Sequence, residues 1–215
     1  MKKNRLGLLC LTLCLAALSA FAQKRTTMVT VYRQFKPSMI TFKDGRRLSQ
    51  TLTNVFLKNS SLLYMKGEHA MEAFMDNVVK VEFDDRTYVN INNQLAYYID
   101  SVKSNHLYCV EIFDKDAYER NLRNNVNITN LDMGGDQIGT TTIDLNGEED
   151  YKYPVVPHFY FLYNGEFVKV HEREIWRRLP KDEDKRRLFK SVIGADDFSW
   201  LSPESLMKLL KAISD

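Results

Sequence analysis

His171-Glu172 opens in the manner of the zinc helix His-Glu-x-x-His. In that motif two histidines one turn apart share a helix face, and the glutamate activates a metal-bound water. Four places after His171 stands Ile175, so the second ligand is missing. The other histidines, His69, His106 and His158, are scattered and follow no metal-ligand spacing. The stretch Asp144 to Asp150 offers oxygen donors like a calcium loop. Its glycine, Gly147, stands fourth rather than sixth, and the twelfth place holds Val155 instead of a glutamate. A solvated acidic turn is expected there. Gly134-Gly135 with Gly139 lacks the preceding strand and following helix that would aim backbone amides at an anion.

Nucleophiles fare no better. No Gly-x-Ser-x-Gly run is present, and no serine is singled out. A triad assembled from distant positions leaves no local mark. Cys109 lies in Leu107-Tyr108-Cys109-Val110, a strand-like context without a helix N-terminus to favour its thiolate, so a small buried hydrophobe is expected. The paired carboxylates Asp84/Asp85 and Asp196/Asp197 suit turns and helix entries, with no sign of the burial that acid catalysis needs. Asn59-Ser60-Ser61 and Asn127-Ile128-Thr129 match the glycosylation sequon, which has meaning only in a glycosylating secretory pathway. The sequence therefore assigns no catalytic residue, no cofactor-binding residue, no metal ligand and no cofactor.

The elements around these residues say more. Lys2, Lys3 and Arg5 precede an apolar run from Leu6 to Leu18, broken only by Gly7 and Thr12. Ala20-Phe21-Ala22 then offers a small-x-small cleavage site before Gln23. This is the layout of a secretory signal peptide over residues 1–22. The run is short for a membrane span, which needs roughly 20 apolar residues. Cys10 and Cys14 follow leucines inside the apolar run, not the small residue of a lipobox, so the expectation is an exported protein that is not a lipoprotein. Removal of the segment leaves Cys109 as the one cysteine, which excludes an internal disulfide.

Hydrophobic content of 44% and aromatic content of 12% indicate a folded chain rather than a disordered one. The net charge of +2 falls to −1 once Lys2, Lys3 and Arg5 are removed, so there is no global field to hold nucleic acid. No later apolar run is long enough to be a transmembrane helix. Charge is still uneven. Residues 111–150 are strongly acidic and 169–190 basic, and the two blocks are expected to face each other. Glu174/Arg178, Asp182/Arg186 and Glu183/Arg187 stand at i, i+4 with the acid first, the better order for a helix.

Along the chain, residues 23–36 form a polar leader. Short alternating runs follow, separated by Asp44-Gly45, Lys66-Gly67 and Asp84-Asp85, and predict antiparallel strands. In the run Val79, Val81, Phe83 the apolar residues are expected on one face. Residues 94–102 and 107–113 read as aromatic-rich strands. Asp114 is expected to cap a short helix to residue 124, with Tyr118 and Leu122 on one face. A strand is expected at 138–145. Pro154 and Pro157 lead into a hairpin, 158–163 and 166–171, around Asn164-Gly165. The last 44 residues carry three helical stripes: Ile175, Trp176 and Leu179 up to Pro180; Leu188, Phe189, Val192 and Ile193; and Leu206, Leu209, Leu210 and Ile213 after Ser202-Pro203. Phe198 and Trp200 are expected to plug the helices onto the sheet.

The run ITFKDGRRLSQTLTNVFLKNSSLLYMKGEHAMEAFMDNVVKVEF resembles a small SH3-like or Sm-like β-barrel over residues 38–83: strand, Asp-Gly hairpin, long bent strand, hairpin, then a short turn at Met75-Asp76-Asn77 before a closing strand. That resemblance implies a barrel and transfers no site, because such units bind nucleic acid, peptides or other domains, or only scaffold. The signal layout is also similar to that of uncharacterised exported proteins of Bacteroidota, which implies a cell-envelope setting.

The fold class expected is α+β, with an N-terminal antiparallel β meander or small barrel, further β hairpins, and a helical C-terminal segment packed on the sheet. The divisions expected are the signal peptide at 1–22, the leader at 23–36, a barrel-like unit at 37–104, a second β-rich segment at 105–171 and the helical tail at 172–215, or else one compact domain from 37 to 215. The function expected is a non-enzymatic interaction or scaffold module, periplasmic or otherwise envelope-associated, with an envelope protein as partner and no nucleic acid. The rivals are a binder of a small apolar or lipidic ligand and a hydrolase whose site leaves no local signature.

Overall fold

The computed structural model describes residues 28–125 and 152–214. The signal segment with Cys10 and Cys14, the glycine group, the strand expected at 138–145, the calcium-like turn and the second sequon lie outside them.

Among the described residues, ten antiparallel strands form one open sheet. They are β1 (Lys36–Phe42), β2 (Arg47–Phe56), β3 (Ser61–Lys66), β4 (His69–Glu72), β5 (Val78–Glu82), β6 (Thr87–Ile91), β7 (Gln94–Val102), β8 (Asn105–Phe113), β9 (Val155–Tyr163) and β10 (Glu166–Lys169). The order is β10-β9-β8-β7-β6-β5-β1-β2-β3-β4, a meander with β1 inserted between β5 and β2. Among the described residues four helices join it: α1 (Lys115–Asn125), α2 (Glu172–Arg178), α3 (Glu183–Ile193) and α4 (Pro203–Ser214). The α+β class holds.

Turn chemistry sets the registers. Asn164 and Gly165 both have positive φ, 51° and 83°, as a type I′ turn requires, and Tyr163 pairs with Glu166 across it. Asn92-Asn93 joins β6 to β7 in the same left-handed region, at 52° and 66°. That hairpin has no glycine and left no strong sequence signal. Met75–Asn77 is the expected short turn, a single 3-10 turn.

The phase of β5 differs from its alternation in the sequence. Ile40 pairs with Val81 and Thr41 with Lys80, but Phe42 pairs with Val78, so Val79 is skipped as a bulge. Val78 is buried and Val79 is 42% exposed. At the other end of the sheet β9 begins at Val155, three residues earlier than the hairpin pattern suggests, and takes in Pro157. Its missing N–H is tolerated because β10 pairs only with Tyr160–Tyr163, leaving Pro157 beyond the ladder on that side.

Residues 28–35 are fastened to β2 although their sequence shows no period. The Asn54 side chain accepts from the Tyr32 amide at 3.1 Å and donates to the Tyr32 carbonyl at 2.7 Å. Phe35 is buried beside this clasp.

Two apolar cores share one face of the sheet. Ile40, Val55, Leu62, Val78, Val81, Tyr88 and Leu95 form one, among β1 to β7. Leu107, Cys109, Phe159 and Phe161 meet Ile175, Phe189, Leu206, Leu209, Leu210 and Ile213 of the helices in the other. Tyr97 packs against both. The stripe on α4 is fully buried, as its spacing predicts, and Phe198 and Trp200 pack on the same core with rings 4.9 Å apart. Leu188 departs from its expected stripe and is exposed.

Helix ends are capped from the sequence. Asp114 accepts from the Ala117 amide at 2.8 Å, Asp182 from Asp184 and Lys185, and Ser202 from Ser205. Asp182 therefore caps α3. The expected Glu174–Arg178 pair forms at 3.0 Å, while Arg187 pairs with Asp184 one turn back. Of the acidic block only its start is described, and there Glu111 pairs with Arg86.

Candidate functional site

Strands β6 to β9 are apolar on both parities. On β8 and β9, Leu107, Cys109, Phe159 and Phe161 turn toward the helices, so Tyr108, Val110, Tyr160 and Leu162 turn to the other face. A strand that is apolar on both sides expects cover on both. The outer cluster is Ile91, Ala96, Tyr108 and Val110, flanked by Val89, Ile112, Tyr160 and Leu162. Among the described residues it is built from strands alone.

The ladder aligns rings on this face. Tyr98 pairs with Tyr108, and Tyr108 with Tyr160. Tyr98 and Tyr108 meet at 6.0 Å between centroids and 72°, Tyr98 and His106 at 5.9 Å, and Tyr108 and Phe167 at 5.8 Å and 70°. Such edge-to-face contacts hold rings in fixed orientation. Tyr98 is 42% exposed, Phe167 41% and Val156 39%, whereas Tyr108 at their centre is only 7% exposed. A rigid aromatic patch with a buried middle and an open rim results.

Its polar groups are few. The Tyr98 hydroxyl donates to Ser101 at 3.1 Å. The His106 Nδ1 is buried without a hydrogen-bond partner. His158, opposite Val110, has its pKa held below the ordinary imidazole value by burial and by the charge of Lys169. Burial raises the phenols of Tyr108 and Tyr160, so both remain neutral donors.

A second polar group lies on the helix side, where the two cores meet. Arg86 reaches Glu111 at 3.4 Å and lies 4.9 Å from the centre of the Tyr97 ring. Burial raises the Glu111 carboxyl, and Arg86 opposes that rise. The Tyr88 hydroxyl is buried without a hydrogen-bond partner, and burial pushes its pKa up to about 12. Burial likewise pushes the Cys109 thiol up to about 12, so this cysteine is a packed hydrophobe and not a nucleophile.

The remaining residues weighed from sequence do not converge. His171 caps α2, its Nδ1 accepting from the Arg173 amide at 3.3 Å. His69 lies on the edge strand β4 and His158 on β9. Asp84 and Asp85 pair with Lys36, and Asp197 pairs with Lys208. Among the described residues no three His, Cys, Asp or Glu side chains group as metal ligands. No helix there is long and apolar enough to cross a membrane. No residue of the outer aromatic face was assigned a role from the sequence. Its signal was present in the apolar runs Leu107–Val110 of β8 and Phe159–Tyr163 of β9. Comparison with protein-family models, with curated proteins and with solved structures finds no match to this chain.

Proposed function

We propose that this chain is a non-enzymatic interaction module of the cell envelope that docks a protein partner on the outer aromatic face of its sheet. The observation that carries the reading is the ring group Tyr98, His106, Tyr108 and Phe167, with an open rim around a buried centre. Aromatic side chains are enriched in the cores of protein interfaces, where large rigid rings are ordered at low entropy cost. Export supplies the setting: the layout of residues 1–22 supports delivery to the periplasm or envelope without a lipid anchor. The elevated thiol of Cys109 and the dispersal of the histidines favour binding over hydrolysis.

The finer fold reading belongs with this proposal. The local order β5-β1-β2-β3-β4, the 3-10 turn before β5 and the shared core of Ile40, Val55, Leu62, Val78 and Val81 support an SH3-like unit within the larger sheet.

A photo-crosslinking phenylalanine analogue at Phe167 tests the docking face in native envelopes. One discrete adduct with a second protein is expected. The same analogue at exposed Lys211, on α4, is expected to give none. Identical adduct patterns from both positions would contradict the proposal.

A further inference from the structure

We propose that the concavity around Trp176 binds a phosphomonoester. Helix α2 sets Trp176 half-buried against Phe189, with ring centroids 5.7 Å apart. Helix α3 then brings two cations onto the indole. The Arg186 guanidinium lies 4.9 Å from the ring centre and the Lys190 ammonium 5.1 Å. Trp176, Glu183, Arg186, Arg187 and Lys190 line a shallow, open concavity.

Arg186 and Lys190 stand at i, i+4, a spacing at which like charges repel on a helix. Attraction to the indole face offsets this repulsion but leaves both charges in place. Among the described residues neither has a carboxylate within ion-pair reach, whereas Arg187 is held by Asp184 at 2.6 Å. The Arg186 Nε is buried without a hydrogen-bond partner. With Arg187 neutralised by Asp184, the lining carries two unpaired cations, Arg186 and Lys190, against Glu183, a net of +1. A phosphomonoester carries nearly two negative charges at neutral pH, and guanidinium groups match its oxygens in geometry. The chain as a whole has little net charge, so the site suits one small oxyanion rather than a nucleic acid.

The test follows the indole N–H resonance of Trp176, separated from that of Trp200 by Trp200→Phe, during titration at constant ionic strength. Two arms distinguish the source of the group: methyl phosphate in solution, and phosphatidylcholine vesicles containing phosphatidic acid. Saturable binding to methyl phosphate, with a dissociation constant on the order of 1 mM, identifies a soluble phosphomonoester. Binding to the vesicles alone identifies a lipid headgroup. Either supports the site. Arg186→Gln and Lys190→Gln are each expected to weaken binding about tenfold. Lys211→Gln, which removes an exposed charge on α4, is expected to leave it unchanged. No saturable shift in either arm, or equal weakening by Lys211→Gln, overturns the proposal. Lys190 is exposed, so its variant reports on binding even where Arg186→Gln disturbs packing.

Discussion

Tyr108 and Phe167 meet edge to face, 5.8 Å apart at 70°, although β9 lies between their strands. One ring is almost fully buried and the other 41% exposed. The contact leads from the buried middle of the outer face to its open rim, and it fixes the orientation of the rim ring. An aromatic pair of this geometry contributes about 0.5–1.5 kcal/mol beyond its area.

The opposite face depends on α4. Leu210 is fully buried on α4, the helix that packs on β7 and β8. Leu210→Ala is expected to destabilise by about 2–5 kcal/mol through lost burial and the cavity it leaves. Leu210→Asp is expected to cost more, because it buries an unpaired carboxylate, and to reduce soluble yield. Urea unfolding measures the first. A midpoint equal to wild type would mean that α4 leaves its stripe open.

His158 gives the fold a pH dependence of definite sign. Its folded pKa is depressed by burial and by Lys169, so below the ordinary imidazole value near 6.5 the unfolded chain binds the proton more readily. Stability from this group is present above that value and is lost as pH falls through the folded pKa. Thermal melts from pH 7.5 to pH 5 are expected to show a smaller acid loss for His158→Gln than for wild type. An equal or larger loss would contradict the assignment.

Cys109 is expected to be silent. Buried and raised to about 12, its thiol presents almost no thiolate at neutral pH. In protein beginning at Gln23, where it is the one cysteine, a disulfide reagent at pH 8 is expected to label it only in denaturant. Rapid labelling of the native protein would show that the helix-side core opens.

Export predicts a mass. The envelope-fraction protein is expected to lack residues 1–22 and to begin at Gln23. Retention of Met1, or a lipid on Cys10 or Cys14, would contradict both cleavage and the absence of an anchor.

What the sequence revealed follows from which forces are local. Asp-Gly and Asn-Gly turns, the caps Asp114 and Ser202, and the α4 stripe are decided within a few residues, and each stands where its pattern places it. The Val79 bulge was hidden because register with β1, not local alternation, decides which valine turns inward. The docking of residues 28–35 rests on Asn54, 22 residues from Tyr32, and on backbone bonds of Val29 and Val31 to Leu57 and Val55, and such polar contacts carry no hydrophobic period. The aromatic face was hidden for a third reason. Tyr98, Tyr108, Tyr160 and Phe167 come from four strands, and only the sheet order makes them neighbours.

The central claim is tested most directly by the affinity of the crosslinked partner, once purified, for wild type and for the double variant Tyr98→Ala/Phe167→Ala. Both side chains lie on the open rim, so the variant is expected to melt within a few degrees of wild type. Interfacial aromatic anchors lose about 2 kcal/mol or more on truncation, which is a weakening of roughly 30-fold. That loss with an intact melt is the predicted result. Undiminished affinity in the folded double variant would contradict a docking role for the aromatic face.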